Sequence, residues 1–334
     1  MPKDIQVLDL IKHAVAKRFG IIETTALRLF NGFFEGLPGL VLDRYGSALV
    51  IFDYAEPETF KRLIEKITDW ATADLDGLQA VLLKRRHQDR DGKQGIISSG
   101  NKLPDQITEF DVHYALNLQL QQDASFYLDT RYLRRWLLKH TTGQRVLNTF
   151  AYTGSLGIAA GMGGASSVTQ TDLNQKYLDI AQQSWLLNDL PLDKHQLIAG
   201  DFFRVIGRMR NQKSIFDCVI LDPPFFSTTD AGRVDLLGET TRLINKVRPL
   251  VAHEGWLVVI NNALFLSGSD FMDELESLCK SQYVAFEDTI PVPQDVTGYP
   301  DTVVGLPPVD STPFNHPTKI GILKVFRKDE RQFY

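Results

Sequence analysis

The sequence predicts an α/β protein in which a doubly wound, mostly parallel seven-stranded sheet follows a smaller N-terminal α/β domain. The chain has 334 residues, which is enough for about two domains. From residue 141 onward, short apolar runs alternate with longer helical patterns, as is typical of a parallel sheet. Hydrophobic residues make up 43% of the chain and charged residues 23%, as in ordinary globular proteins.

Composition excludes several classes of protein. No apolar run approaches the ~20 residues of a membrane span, and the N-terminal MPKDIQVLDL lacks the pattern of a secretory signal. We therefore predict a cytoplasmic protein with no membrane partner. Cys218 and Cys279 have no zinc-ligand spacing to the histidines, so we expect no metal. Nothing in the sequence indicates the oligomeric state.

The first part of the chain predicts a small α/β domain over residues 1–105. Apolar residues recur there at helical spacing in some stretches and form extended runs in others. The polar, glycine-rich stretch 92–104 is typical of a linker. The predicted elements are a helix over 4–18, a hairpin of strands over 40–43 and 48–53, a helix over 56–70 and a strand over 78–86.

Residues 106–140 are predicted to form a connecting hairpin and helix, with an extended segment over 110–120 and a helix over 132–140. The last domain, 141–334, holds the alternating pattern and closes with an antiparallel hairpin at the sheet edge. Its predicted strands are 146–150, 167–171, 195–199, 216–221, 256–261, 283–290 and 319–327.

In a doubly wound sheet, ligands bind beyond the carboxyl ends of the strands, so the residues at those ends indicate function. Gly154 follows the first strand and allows the backbone to approach a ligand at a helix N-terminus. Asp172 ends the second strand, where a carboxylate can accept both hydroxyls of a ribose. Asp201 and Phe202 follow the third, offering a carboxylate for an adenine amine and a ring beside the base. The fourth strand ends in DPPFF, residues 222–226.

Each of these residues also has a structural interpretation. Asp172 and Asp201 can be helix N-caps, and Gly154 can belong to a tight turn. A dehydrogenase joins a glycine turn to an acidic strand end in a similar way, but it predicts G-x-G-x-x-G, whereas this turn has only Gly154 and Gly157. Four such strand ends in the right order favour a nucleoside site.

These motifs resemble those of the class I S-adenosylmethionine-dependent methyltransferases. Within that class, the sequence is similar to the large-subunit ribosomal RNA methyltransferases that modify cytosine C5 or guanine nitrogens. The resemblance covers nearly the full length. The segments that carry it are NGFFEGLPGLVLDRYG (31–46), SFYLDTR (125–131), VLNTFAYTGSLGIAAGMGGA (146–165), TDLN (171–174), FDCVILDPPFFS (216–227) and HPTKIGILKVFRK (316–328).

The resemblance implies a Rossmann-like methyltransferase domain that binds S-adenosylmethionine, preceded by an RNA-facing domain. It assigns one set of residues to the cofactor pocket and another to its closure. The pocket residues are Phe150, Thr153, Gly154, Asp172, Asp201 and Asp222, and those that close over it are Tyr127, Asp129 and Arg131.

Basic clusters in the first half of the chain are where the phosphates of ribosomal RNA would bind. The net charge is -5, but the two signs balance through residue 140. The alternative is a solvated strand end and a solvated helix face. The clusters are Lys84, Arg85, Arg86, His87 and Arg90, followed by Arg131, Arg134 and Arg135.

The position of the cysteines bears on which atom is methylated. Attack on cytosine C5 requires a thiolate that first adds to the ring. Cys218 lies four residues before Asp222 in one strand, roughly 13 Å back from its end, and Cys279 falls in a helical segment. By resemblance, cytosine-C5 members carry the nucleophile after the fifth strand, where this chain has no cysteine.

Transfer to a nitrogen requires only an aligned lone pair. Asp222 or a carbonyl of Pro223 or Pro224 can accept a hydrogen bond from a base amine, while Phe225 or Phe226 stacks on the base. Asn261 and Asn262 resemble a pair in the guanine-N7 branch and can bind a purine edge, or they can simply form a turn.

We therefore predict methylation of a guanine nitrogen in 23S-type ribosomal RNA. The alternatives are a 5-methylcytosine ribosomal RNA methyltransferase and a catalytically silent RNA-binding protein of the same fold.

Overall fold

The computed structural model describes residues 2–86 and 90–327 and divides the chain into two compact units. The first unit holds residues 1–129 and 293–306, and the second holds 130–292 and 307–334. The predicted connecting segment 106–140 is therefore split between the units, and a late segment of the chain returns to the first.

The first unit is built on a five-stranded sheet with the strands in sequence order. Neighbouring strands are antiparallel except for β3 and β4, which are parallel and are joined by the crossover helix α2. Apolar residues of α1 and α2, such as Ile11 and Ile67, pack against one face of the sheet. The elements are α1 (Pro2–Ala16), β1 (Ala26–Asn31), β2 (Leu40–Tyr45), β3 (Ala48–Asp53), α2 (Lys61–Asp74), β4 (Ala80–Arg85), α3 (Arg90–Gln94), β5 (Ile96–Gly100), β6 (Gln106–Glu109) and β7 (Val112–Ala115).

The predicted linker over 92–104 contains a strand, so that prediction was wrong. Strand β5 pairs antiparallel with β4 at the edge of the sheet. Most of its side chains are exposed, including Ile96 and Ile97, and an edge strand that buries neither face has no alternation of apolar and polar residues to reveal it.

A buried ion pair joins distant parts of the first unit. The Arg18 guanidinium donates from Nη1 and Nη2 to the two carboxylate oxygens of Glu35, each at 3.0 Å, and neither side chain is exposed. Glu35 also accepts hydrogen bonds from the Asn31 backbone N–H at 2.7 Å and from the Thr302 hydroxyl at 2.5 Å. The pair therefore holds the returning segment 293–306, whose Asp295 carbonyl accepts from Arg18.

The second unit confirms the predicted doubly wound sheet. Its seven strands lie in the order β10-β9-β8-β11-β14-β16-β15, of which the first five are parallel and the last two form the predicted antiparallel edge hairpin. The elements that follow β7 are α4 (Arg131–His140), β8 (Arg145–Thr149), α5 (Ser155–Met162), β9 (Ser167–Asp172), α6 (Gln175–Leu187), β10 (His195–Ala199), α7 (Phe202–Asn211), β11 (Phe216–Leu221), β12 (Phe226–Thr229), β13 (Gly232–Asp235), α8 (Thr240–Val247), β14 (Val251–Asn261), α9 (Gly268–Cys279), β15 (Val284–Thr289), α10 (Gln294–Thr297), which belongs to the first unit, and β16 (Lys319–Val325).

The order of the strands reverses beside β8. The chain runs from β8 through β9 to β10 on one side and then returns to β11 and β14 on the other. A crevice at such a reversal is where doubly wound proteins bind ligands. The central strands are almost fully buried because helices cover both faces of a parallel sheet.

No helix among residues 2–86 and 90–327 combines the length and the apolarity needed to cross a bilayer.

A buried lysine fixes the end of the central strand β14. The Lys319 ammonium is not exposed, and its Nζ donates to the carbonyl oxygens of Ala263 at 3.0 Å and Pro317 at 2.6 Å. Burial lowers the pKa of Lys319 to about 8. The loop that follows β14 is therefore tied to the first residue of β16.

Replacing Lys319 by methionine should change how stability depends on pH. The unfolded chain keeps a lysine pKa near 10.5 while the folded value is about 8, so between these values the unfolded chain binds the extra proton. The wild type should thus gain stability over Lys319→Met as the pH rises through this window, by up to about 1.4 kcal/mol per pH unit. Below the window the difference should be constant. Urea denaturation of both proteins measures it, and a difference that stays constant across the window would contradict the assignment.

Candidate active site

The strand ends that the sequence singled out lie along one edge of the second unit's sheet. Thr149 of β8 pairs with Thr171 of β9 and with Leu221 of β11, and Ala199 of β10 pairs with Asp172. Because these strands are parallel and in register, the loops that begin after them emerge side by side. The edge therefore gathers the predicted cofactor residues of this unit.

The loop after β8 has an unusual backbone. Phe150, Tyr152 and Gly154 have φ of +53°, +51° and +81°, in the left-handed region that non-glycine residues rarely adopt. The Tyr152 N–H donates to Oδ2 of Asp172 at 2.8 Å, which holds the loop in this shape. Such strain is concentrated at functional sites.

Gly154 is required by packing as well as by its backbone angle. A Cβ atom at this position would lie 2.4 Å from Cβ of Ala181 on α6 and 3.0 Å from the side-chain amide of Gln170. The glycine therefore allows the loop to approach α6 closely, whereas the sequence predicted close approach to a ligand.

Gln170 is a residue of this site that the sequence analysis missed. Its side chain is fully buried and also fills the space that a Cβ at Gly157 would occupy. It accepts from Nδ2 of Asn148 at 3.0 Å and donates to the His195 ring at 2.9 Å. Burial lowers the pKa of His195 to about 4, so this ring is neutral at pH 7. In the sequence, the only indication of this role is a polar glutamine within a strand whose middle residues are buried.

Asp172 links two loops rather than capping a helix. Besides its bond to Tyr152, its Oδ1 accepts from the Asn174 N–H at 2.9 Å, and Asn174 itself caps α6. The carboxylate is partly exposed, and burial raises its pKa against the lowering effect of these backbone donors. Each oxygen retains a further lone pair for a ligand hydroxyl.

Asp201 is the N-cap of α7, as the structural interpretation of this residue predicted. Its Oδ1 accepts from the Arg204 N–H at 3.1 Å, and its Oδ2 accepts from the Thr229 hydroxyl at 2.5 Å. The predicted ring beside the base, Phe202, is 7% exposed and stacks on Phe150 with ring centroids 4.4 Å apart. Phe150 is the more accessible of the two rings, so the structure favours it for contact with a ligand.

Beyond β11, the chain does not simply turn after its prolines. Pro223 is buried and Pro224 is exposed, and a short hairpin that the sequence did not predict, β12–β13, starts at Phe226. Phe225 and Phe226 are 43% and 56% exposed. Asp222, which is partly buried, thus directly follows β11, and two accessible aromatic residues follow it three and four positions later in the sequence.

The two asparagines at the end of β14 and directly after it have different environments. Asn261 is fully buried, its Nδ2 donates to the Leu236 carbonyl and to the Thr240 hydroxyl, each at 3.1 Å, and its Oδ1 accepts from the Ala263 N–H. Both amide hydrogens are used, so its predicted contact with a purine edge is not supported and the turn interpretation fits. Asn262 is exposed and remains available to a ligand.

The first basic cluster is less accessible than predicted. Lys84 is fully buried, its Nζ donates to two backbone carbonyl oxygens at 2.5 and 2.9 Å, and burial lowers its pKa to about 8. The prediction that Lys84 contacts RNA phosphates was therefore wrong. Arg85 and Arg86 are partly exposed, and each faces a carboxylate. His87 and the side chain of Arg90 lie outside the described residues.

The second basic cluster is also divided by burial. Arg131 and Arg134 are 1% and 0% exposed, and Arg134 donates from Nη1 to the Thr130 hydroxyl at 2.8 Å. The predicted contact of Arg134 with RNA phosphates was wrong for this reason. Arg135 is exposed and lies over the Tyr132 ring, 4.5 Å from its centroid.

The residues predicted to close over the cofactor fall on both sides of the division between units. Tyr127 and Asp129 belong to the first unit, where Tyr127 is 45% exposed and donates to Oδ2 of Asp123 at 3.3 Å. Arg131 begins α4 in the second unit. Thr153 is buried in the loop after β8.

The cysteines are poorly placed for nucleophilic chemistry. Cys218 is fully buried in the middle of β11, paired with Val146 and Trp256 of the neighbouring strands, and burial raises the pKa of its thiol to about 12. Cys279 ends α9, and burial also raises its pKa. A thiol with a raised pKa holds little of the reactive thiolate. In the described part of the chain, no three histidine, cysteine or acidic side chains are grouped so as to hold a metal ion.

The chain is similar to several known proteins. A family profile described as S-adenosylmethionine-dependent methyltransferase matches residues 35–303. Ribosomal RNA large subunit methyltransferase K of Neisseria meningitidis is 29% identical over 276 residues, which are 79% of this chain and 76% of that protein. Ribosomal RNA large subunit methyltransferase I of Aeromonas hydrophila is 32% identical over 229 residues. These residues are 66% of this chain but only 57% of that relative.

A solved structure shares the fold. The crystal structure of SMU.776 complexed with SAH superimposes with a TM-score of 0.82 and 23% sequence identity, covering 96% of this chain and 82% of that one.

Substituting alanine for Gly154 should disrupt the loop after β8. Gly143 offers a matched control because its φ is +73° but nothing lies within 4 Å of a Cβ there. We expect Gly143→Ala to lose about 1 kcal/mol of stability from backbone strain alone. Gly154→Ala should lose more than about 2 kcal/mol, because contact with Ala181 is added to the strain, and should bind S-adenosylmethionine poorly. Chemical denaturation and calorimetric titration measure both effects, and equal losses in the two variants would contradict the packing argument.

Proposed function

Because the chain belongs to the S-adenosylmethionine-dependent methyltransferase family, we propose that it transfers a methyl group from this cofactor to a guanine nitrogen in ribosomal RNA. The observation that carries the proposal is the pair of exposed rings, Phe225 and Phe226, beside Asp222 at the end of β11. Exposed aromatic rings beside a hydrogen-bond acceptor suit a flat base that presents an amine. An RNA substrate implies action in the cytoplasm.

The strand ends of the second unit fit this cofactor. Asp172 has lone pairs for the two ribose hydroxyls, Asp201 can accept from the adenine amine, and the Phe150 ring offers an apolar face. We extend the proposal to Thr153, Gly154, Phe202 and Asp222 as further residues of the pocket, with Tyr127, Asp129 and Arg131 as the residues that close over it by resemblance. When bound, S-adenosylmethionine supplies a methyl group on a sulfonium leaving group.

The residues after β11 align the acceptor. The Asp222 carboxylate, or a prolyl carbonyl of Pro223 or Pro224, accepts a hydrogen bond from a base amine and so directs the nitrogen lone pair. Phe225 stacks on the base and holds its plane. Asn262 can add a hydrogen bond at the base edge. Holding the reacting atoms in line is worth several kcal/mol of barrier. The methylated amine must also release one proton, which the Asp222 carboxylate can accept.

The burial of Cys218 favours nitrogen over carbon as the acceptor. Methylation of cytosine C5 requires a thiolate that reaches the base, and this thiol is fully buried with a pKa of about 12. The 5-methylcytosine enzyme is therefore the second candidate. A catalytically silent RNA-binding protein is the third candidate. It is less favoured because the chain retains Asp172, Asp201 and the DPPFF motif.

The substrate class is proposed from two sources. Relatives from Neisseria and Aeromonas are named as ribosomal RNA large subunit methyltransferases. In this chain, exposed Phe265 follows β14 near Asn262 in sequence, adding a third accessible ring to the loops after the strands. Aromatic rings stack on every base, which suits unpaired RNA. Arg85, Arg86 and Arg135 remain as candidates for phosphate contact.

Substitution of Asp172 by asparagine should weaken binding of S-adenosylmethionine. The variant keeps the volume, but one of the two oxygens that accept from the Tyr152 and Asn174 N–H groups becomes an amide donor. Because the ribose hydroxyls lose an acceptor and one loop loses a hydrogen bond, we expect a loss of about 1–3 kcal/mol in binding free energy. Ser267→Ala is the control, because this serine accepts from the Asp270 N–H as the cap of α9 and is not among the residues assigned to the cofactor pocket. Calorimetric titration compares the variants, and unchanged affinity in Asp172→Asn would mean that the cofactor lies elsewhere.

The reaction itself is tested with ribosomal RNA from a strain that lacks the gene. Tritiated methyl transfer followed by nucleoside digestion and mass spectrometry should yield methylguanosine. A variant with both Cys218→Ala and Cys279→Ala should retain activity within about threefold, because direct transfer uses no thiol. Labelled 5-methylcytidine that disappears in this variant would refute the nitrogen mechanism, and absence of label in any RNA would refute the substrate class.

A further inference from the structure

The first unit contains a cavity of about 140 Å³ whose lining residues all belong to that unit. Its lining combines flat aromatic rings with charged groups, among them Arg28, Asp43, Tyr54, Arg86, Asp123 and Tyr127. Ligand pockets commonly combine aromatic side chains with a few polar groups that fix the orientation of the ligand.

A bidentate ion pair lies in the wall of the cavity. Arg28 donates from Nε and Nη2 to the two oxygens of Asp43, its cross-strand neighbour, at 2.8 and 3.1 Å. The Asp43 side chain is 2% exposed, whereas the Arg28 side chain is 23% exposed. The pair is thus fixed from behind by β2, and the guanidinium Nη1 remains for an acceptor on a ligand.

A second guanidinium is stacked on aromatic rings in the same wall. Arg86 lies 5.0 Å from the centroid of the Tyr54 ring and 5.9 Å from that of Phe52. Its Nη2 donates to Asp123 at 2.8 Å, which sets the plane of the group. The exposed ring of Phe33, in the NGFFEGLPG segment, contacts Tyr54 edge-on at 5.4 Å and extends the aromatic surface.

We propose that this cavity binds an unpaired base of the RNA substrate, distinct from the base that is methylated. Tyr54 and the plane of Arg86 offer stacking surfaces, Arg28 can donate to a base carbonyl or ring nitrogen, and the Asp123 carboxylate can accept from a base amine. A polynucleotide contacts a protein at several places besides the reacting base, so a second base site adds affinity and register. This inference rests on the proposed RNA substrate.

The buried Lys84 side chain supports one wall of this cavity. Its ammonium does not contact phosphate but donates to the backbone carbonyls of Gln121 and Asp123. These contacts hold the segment that carries Asp123 and Tyr127 against β4. The Lys84 ammonium therefore shapes the wall of the cavity and does not contact phosphate.

Two variants test the cavity. Arg86→Lys keeps the charge beside Asp123 but removes the planar stacking surface, and Tyr54→Leu removes a ring while filling similar space. Phe19→Ala is the matched control, since this ring of the first unit is 63% exposed and lies outside the cavity lining. Thermal melting of all three establishes that they are folded.

Binding is measured by fluorescence anisotropy with a labelled single-stranded RNA and with the same backbone carrying abasic sites. We expect both cavity variants to bind the RNA about tenfold more weakly than wild type, to bind the abasic strand as wild type does, and to bind S-adenosylmethionine unchanged by calorimetry. Phe19→Ala should behave as wild type in every assay.

Three results would overturn the inference. Unchanged RNA affinity in both cavity variants would show that no base binds there. Equal losses for the RNA and the abasic strand would indicate a phosphate site. Weaker binding of S-adenosylmethionine would assign the cavity to the cofactor. Failure of the proposed function is seen separately, as absence of methyl transfer to RNA by the wild type.

Discussion

The parallel register of β8, β9, β10 and β11 is the constraint on which the proposed active site depends. Parallel strands in register end together, so residues that are distant in sequence meet at one edge of the sheet. The reversal of strand order beside β8 leaves a crevice between the loops that lead in opposite directions. The order and register of the strands are therefore sufficient to bring these loops together.

Polar side chains hold the loops that the sheet brings together. Gln170 packs against the glycine turn after β8, the Thr229 hydroxyl ties the hairpin after β11 to Asp201, and Lys319 fixes the carbonyl of Ala263 after β14. Gln170 and Lys319 are fully buried, which is costly for a polar group, and both are hydrogen-bonded: Gln170 to Asn148 and His195, and Lys319 to the carbonyls of Ala263 and Pro317. In the first unit, Glu35 has the same role for the returning segment 293–306. Loops fixed in this way need less ordering when a ligand binds.

The sequence predicted the sheet, its edge hairpin and the family, because buried strands and the motifs after them are local patterns. It could not predict Gln170 or Thr229, since their roles arise from contacts with residues 13 to 28 positions away. The sequence also predicted ligand contacts for three residues that are buried, namely Lys84, Arg134 and Asn261. A run of basic or polar residues does not indicate which of its side chains point into the core. Strand β5 was missed because an exposed edge strand has no apolar face.

The hairpin after β11 explains how two exposed aromatic rings can serve recognition. An exposed ring that moves freely loses rotamer freedom when it stacks, and this loss reduces the gain in affinity. Phe226 begins β12 and pairs with Asp235 of β13, so its backbone is fixed before any ligand arrives, and Arg233 lies 5.9 Å from its ring. Phe225 follows two prolines, whose restricted backbone limits its direction. The rings are therefore exposed to solvent yet oriented, which is the arrangement that stacking on an incoming base requires.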